Sequence, residues 1–156
     1  PFKNSLMNWF IGKSRSKATD KVIVYPREKN SFKSIIKKMK KPCVLYLLAD
    51  EDISLDDSIF TDFFDTQKAT LKSISKLAKL TNSKVLPCMC TYNFESNDYF
   101  FKVFPELDNF PSNNIDEDCL KINMCLQQQI LFDVSQYMWT LRIYKHRPDG
   151  SDVYKI

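Results

Sequence analysis

The chain has 156 residues, 44% of them hydrophobic and 13% aromatic, which suits one domain with a real core rather than a disordered segment. It has 2 glycines, which excludes the glycine-rich loops that cradle nucleotide phosphates, and no apolar run approaches the roughly 20 residues needed to span a bilayer. The net charge of +4 conceals a division: residues 1–41 carry 12 Lys and Arg against Asp20 and Glu28, whereas residues 50–65 carry seven acids and no base.

Along the chain, Leu6, Met7, Phe10 and Ile11 share one face at helical spacing. Residues 22–25 read as a short strand stopped by Pro26. Asn30 or Ser31 caps a helix that turns Phe32, Ile35, Ile36 and Met39 inward and its lysines outward, and Pro42 ends it. Residues 44–48 are wholly apolar and predict a central strand buried on both faces. A long acidic connection follows over 49–66. Leu71, Ile74, Leu77 and Ala78 form the inward stripe of a helix over 70–80. Strands are expected over 84–92 and 99–104, joined by a polar turn, and then a loop over 105–114. The longest helix covers 115–132, with Asp116, Glu117 and Asp118 in its first turn, where carboxylates complement the helix dipole. A last short helix or turn covers 136–144. Strands alternating with helices predict an α/β fold, a mixed sheet covered by helices on both faces, in one domain.

The five cysteines, Cys43, Cys88, Cys90, Cys119 and Cys125, are odd in number and have apolar neighbours, which predicts reduced, buried thiols of a cytosolic compartment. Their spacing, with one histidine in the chain, does not make a zinc site, so no metal is expected.

Three places could carry chemistry. Asp50-Glu51-Asp52 stands directly after the apolar run, at a strand end, where open α/β sheets gather functional residues; three acids there could bind a cation, orient a base or hold an arginine. His146 lies between Lys145 and Arg147 with no orienting acid beside it in sequence, so a catalytic role is not expected of it. The run 135–150 mixes Tyr137, Trp139 and Tyr144 with Arg142, Lys145 and Arg147. Arginines grip phosphates, and tyrosine and tryptophan suit a membrane interface; stacking on single-stranded nucleic acid and plain amphipathic packing fit the same composition. No Gly-x-Ser-x-Gly elbow is present.

Gln136-Tyr137-Met138-Trp139, Arg142-Ile143-Tyr144-Lys145 and Arg147-Pro148-Asp149-Gly150 together resemble the C-terminal signature of the late acyltransferases of bacterial lipid A biosynthesis, the lauroyl and myristoyl transferases. Asp50 and Asp52 resemble that family's Asp-x-Asp, Ile59–Phe64 its phenylalanine loop, Ala69-Thr70 its Ala-Thr helix start and Val85-Leu86-Pro87 its Val-Val-Pro strand. Asn4-Ser5-Leu6 and Arg15 are similar to its Asn-Pro-Leu and arginine-bearing segment, and Asn123 falls where the family has an asparagine in its long helix. The chain departs from the pattern at Ser135, at Ile143-Tyr144, and at Ile53, Ser58 and Asp65, which stand in place of family glycines.

The resemblance implies a glycerolipid-acyltransferase-like domain with a mainly parallel sheet, of which residues 1–156 would be the C-terminal part. The N-terminal membrane helix and the His-x-x-x-x-Asp/Glu segment would precede Pro1. It implies transfer of a fatty acyl chain from acyl carrier protein to a hydroxyl of a lipid A precursor in lipopolysaccharide biosynthesis. The place would be the cytoplasmic face of the inner membrane of a Gram-negative bacterium, with no cofactor and no nucleic acid. Arg15, Asp50, Asp52, Arg142, Lys145 and Arg147 would bind substrate or support the site, no catalytic residue would lie in this chain, and the chain alone would be inactive. The alternative is a non-enzymatic basic and aromatic module that binds anionic lipid or RNA.

Overall fold

The structure is a computed structural model that describes residues 4–17, 21–25 and 29–155. The chain divides into two compact units, residues 1–45 and 46–156.

The first unit holds α1 (Ser5–Ser16) and α2 (Lys29–Met39). Asn4 starts α1 because its Oδ1 accepts from the Leu6 and Met7 amides at 2.9 and 3.2 Å, satisfying two donors that no helical turn can reach. In α2, Phe32, Ile35, Ile36 and Met39 are half-buried while Lys33, Lys37 and Lys38 are exposed, the amphipathic division the spacing predicts. Residues 22–25 form no strand. Pro26 and the side chain of Asn30 lie outside the described residues.

The second unit is built from β1 (Ser58–Phe63), β2 (Thr66–Leu71), α3 (Ser73–Thr81), β3 (Cys88–Asn93), β4 (Asp98–Val103), α4 (Ile115–Phe132) and a 3₁₀ turn, Val134–Gln136. β1 and β2 pair antiparallel, from Ser58 opposite Leu71 to Phe63 opposite Thr66, across a turn at Phe64-Asp65. Phe64 has φ 52°, a left-handed conformation that costs a side chain about 1–2 kcal/mol where glycine would not resist. β3 and β4 form a second antiparallel pair, from Cys88 opposite Val103 to Asn93 opposite Asp98.

α4 packs on β1, and Phe63, Leu126, Ile130 and Ile143 are buried together, with Tyr137, Leu141 and Tyr144 against them. Asn123, wholly buried, bolts this helix to the hairpin. Its Oδ1 accepts from Thr70 Oγ1 at 3.0 Å, and its Nδ2 donates to the Asp62 carbonyl at 3.0 Å and the Thr61 carbonyl at 3.4 Å. Each such bond is worth about 1 kcal/mol net, and more if its partner is left unpaired in the interior. One turn earlier, Asp118 accepts from Ser75 Oγ at 2.5 Å and from the Ser112 amide at 2.8 Å, which fixes α3 and the preceding loop on α4.

This architecture corrects the expected fold class. The described residues hold two separate two-stranded antiparallel sheets, β1-β2 and β3-β4, in place of one mixed, mainly parallel sheet. Two assignments account for the difference. Residues 44–48, read as a central strand, have no ladder partner among the described residues, and Val44 is 96% exposed. Residues 58–63, placed in the acidic connection, form β1 instead, and its partner β2 runs from Thr66 to Leu71, so that Thr70 and Leu71 leave the expected helix. Ala69 and Thr70, which resembled a helix start, therefore lie on β2. The cysteine expectation also needs correction: all five thiols are free, but only Cys119 is buried, and Cys43 and Cys90 are exposed.

Candidate functional site

Asp50 and Asp52 stand on irregular chain ahead of β1, half-buried and buried respectively. Both take partners from the C-terminal run. Tyr137 donates its hydroxyl to Asp50 Oδ2 at 3.1 Å. Burial, and then the Asp50 carboxylate beside it, push the Tyr137 phenol well above its ordinary range, so it stays a donor. Asp52, whose side chain has no exposed surface, commits both oxygens to one residue: Oδ1 meets His146 Nδ1 at 2.5 Å, and Oδ2 accepts the His146 backbone N–H at 2.7 Å. A carboxylate already accepting an amide is an acceptor for the ring as well, so the geometry assigns the proton to Nδ1.

The rest of the run is tied down in the same way. Gln136 copies a strand edge against β3: its Oε1 accepts from the Tyr92 amide at 2.6 Å, and its Nε2 donates to the Tyr92 carbonyl at 2.8 Å. Trp139 Nε1 donates to the Val134 carbonyl at 2.8 Å, Tyr144 Oη donates to the Phe63 carbonyl at 3.4 Å, and Tyr154 Oη accepts from the Tyr144 amide at 3.1 Å. The residues that gave the signature its polar and aromatic character thus form a strap over the hairpin, with Ile143 as its apolar peg in the core.

Its cations divide into two kinds. Arg142 and Lys145 are exposed, the Arg142 guanidinium lying 5.5 Å from the centre of the Tyr154 ring. Arg147 is turned inward, with its side chain 25% exposed and one nitrogen donating to Thr66 Oγ1 at 3.3 Å. Lys68, two residues along the same face of β2 from Thr66, is fully buried; its ammonium donates to the Ala69 carbonyl at 3.4 Å and lies 6.0 Å from the centre of the Phe63 ring. Burial holds the Lys68 ammonium below its usual range, and Asp52 and Asp50 pull the other way.

Of the residues proposed from sequence, Asp50, Asp52 and Arg147 come together in the second unit, with Arg142 and Lys145 on the outer side of the same strap. Arg15 lies exposed in the last turn of α1, in the first unit. Two participants were missed. His146 was set aside for want of an orienting acid nearby in sequence, and the acid arrives from 94 positions away. Lys68 gave no signal in the sequence; its burial on β2, beside buried Ala69, Thr70 and Leu71, is decided by the fold. Among the described residues, no group of three or more His, Cys, Asp and Glu could hold a metal, and no helix is long and apolar enough to cross a membrane.

Comparison with known proteins adds what geometry cannot. The family described as bacterial lipid A biosynthesis acyltransferase matches residues 1–146. A lipid A biosynthesis acyltransferase of Haemophilus influenzae is 30% identical over 99% of this chain and 47% of its own length. The lipid A biosynthesis palmitoleoyltransferase of Escherichia coli is 24% identical over 96% of the chain and 48% of its own length. The lipid A biosynthesis myristoyltransferase of the same organism is 28% identical over 78% and 38%. The chain spans about half the length of the first two relatives.

Proposed function

This chain belongs to the bacterial lipid A biosynthesis acyltransferase family, and on that premise we propose that it is the C-terminal part of an enzyme that moves a fatty acyl chain from acyl carrier protein to a hydroxyl of a lipid A precursor. The family match over residues 1–146 carries the reading, and the strap gives it a physical form. Ester formation at a thioester carbonyl needs a base for the attacking hydroxyl and donors for the developing oxyanion, and it also needs the acceptor held still. Arg142 and Lys145, on the outside of a strap bolted to Asp50 and Asp52, suit the holding of the acceptor, since they present two cations to an anionic glycolipid at the cytoplasmic face of the inner membrane. Arg15, in the last turn of α1, is proposed to bind substrate or support the site on the family resemblance alone.

The base implied by the family resemblance is a histidine followed five positions later by Asp or Glu. Within residues 1–156 the single histidine, His146, has Ser151 at that distance. The 156-residue chain is therefore expected to bind the acceptor without completing the transfer.

The test uses the purified chain with acyl carrier protein charged with laurate or myristate and a lipid A precursor in mixed vesicles. The expected result is vesicle binding that falls roughly tenfold in an Arg142→Ala, Lys145→Ala double variant, as loss of charge-assisted contacts predicts, with no acylated product. Product formed by the chain alone would refute its proposed incompleteness. Binding indifferent to both substitutions would refute the assignment of these cations to the acceptor.

A further inference from the structure

Helix α1 turns its apolar face outward. Leu6, Phe10, Lys13 and Lys17 follow one another at steps of four, three and four residues, which lines them up along one stripe of a helix, and Trp9 borders it. Leu6 is 68%, Trp9 59% and Phe10 60% exposed, with Met7 exposed beside them. The half-buried positions are Asn8, Ile11 and Gly12, so α1 rests on a side that is only weakly apolar. Of the face that spacing marks as apolar, Leu6, Met7, Phe10 and Ile11, only Ile11 is half-buried. Adjoining tryptophan, phenylalanine and leucine side chains left in water forgo the gain that burial gives, and a contiguous exposed apolar patch marks a docking surface.

The charges of α1 select what covers it. Lys13 and Lys17 close the stripe, and α1 contains no acid. Lys13 Nζ lies 5.4 Å from the centre of the Trp9 ring, so ring and cation are presented together. The Ser14 and Ser16 hydroxyls donate back to the Phe10 and Gly12 carbonyls at 2.8 and 2.9 Å, which lowers the cost of bringing this helix against an apolar phase. Residues 1–41 add a field of 12 Lys and Arg against two acids. An acidic protein would pair the lysines and leave the rings in water. An apolar protein surface would cover the rings and desolvate the lysines. The surface of an anionic bilayer takes both, with rings and leucine at the boundary of headgroups and acyl chains and ammonium groups among the phosphates.

We propose that α1 lies in the plane of an anionic bilayer surface, with Leu6, Trp9 and Phe10 entering it and Lys13 and Lys17 held at its headgroups. The inference deepens the proposed function and takes one point from it, that the acceptor is a lipid and therefore sits in such a surface. The residues that make the contact are none of those assigned to the acceptor.

The chain has two tryptophans, Trp9 and Trp139, which makes the contact readable by fluorescence. Phosphatidylcholine vesicles with and without phosphatidylglycerol, carrying brominated acyl chains and no lipid A precursor, are titrated into the 156-residue chain; cosedimentation reads binding in parallel. The expected result is saturable quenching on the anionic vesicles, with binding roughly tenfold weaker on neutral ones and weakened by salt. In Trp9→Phe, where Trp139 is the remaining indole, the quenching should disappear. The double variants Trp9→Ala, Phe10→Ala and Lys13→Gln, Lys17→Gln should each bind roughly tenfold more weakly. All four positions are exposed, so an unchanged urea midpoint confirms that the variants are folded. Absence of binding overturns the proposal, as does equal binding to neutral and anionic vesicles. Quenching that survives in Trp9→Phe also overturns it, because the strap would then be what meets the bilayer. Binding of polyglutamate that needs the lysines but not the rings, without binding to vesicles, would assign the face to an acidic protein instead. Since these vesicles hold no acceptor, failure here leaves the acyltransferase reading standing, and acceptor binding indifferent to Arg142→Ala, Lys145→Ala leaves the α1 contact standing.

Discussion

Replacing Asp52 with alanine removes the carboxylate on which the strap closes. Two hydrogen bonds go at once, from the His146 ring and from its backbone N–H, each to a charged acceptor and worth about 1.5–3 kcal/mol. The buried Lys68 also loses an opposing charge. Breaking a buried charged pair from one side costs about 3–5 kcal/mol, so Asp52→Ala should cost that much. His146→Ala removes only the ring contact, because every residue keeps its N–H, and should cost about 1.5–3 kcal/mol. The two losses share one bond, so the double variant should be no less stable than Asp52→Ala by more than about 0.5 kcal/mol. Urea unfolding reads all three. With a slope of about 2 kcal/mol/M, the midpoint falls by about 1.5–2.5 M for Asp52→Ala. Should that variant fail to fold, Asp52→Asn, which keeps one acceptor oxygen, gives an intermediate value. Costs that add fully in the double variant, or an Asp52→Ala cost below about 1 kcal/mol, would refute the clasp.

Three other expectations follow from groups outside the clasp. Burial depresses the Lys68 ammonium, so its charge destabilises the folded state at neutral pH and stability recovers as pH rises toward the unfolded value; Lys68→Met should raise the urea midpoint at neutral pH and flatten the alkaline rise. Burial alone would push the Asp118 carboxyl up, but the hydrogen bonds from Ser75 and Ser112 outweigh it and hold the group below its ordinary value. Its contribution is therefore complete above the unfolded carboxylate range and lost as pH falls through the folded value, and Asp118→Asn should remove part of the acid limb of the stability profile. Burial, and then Asp118, push the Cys119 thiol up to about 11, so a thiol reagent should label exposed Cys43 and Cys90 quickly and reach Cys119 only on unfolding, as peptide mapping of the labelled chain would reveal.

Local chemistry was the legible part. The long helix occupies residues 115–132 as its periodicity and its acidic first turn imply, and Asn114 starts it by accepting from the Asp116 amide at 3.0 Å. The hairpin β1-β2 was hidden because its turn carries Phe64 and Asp65 where a glycine would have marked it, and because Leu71, the last residue of β2, falls in step with the apolar stripe of α3. The apolar run 44–48 predicted a buried strand, but a strand needs partners, and composition does not supply them.

By itself the sequence determined the helices, the charge division and the signature at residues 136–150 that resembles the family's, because each depends on neighbours within a few turns of chain or on residue identity alone. Only the tertiary structure decided what that signature does here. Asp50 with Tyr137 and Asp52 with His146 join positions 87 and 94 apart, and no local propensity encodes which distant carboxylate closes on which ring. Ile143 is buried beside Phe63 in the same core, and that burial holds the polar groups on either side of it within reach of the acids.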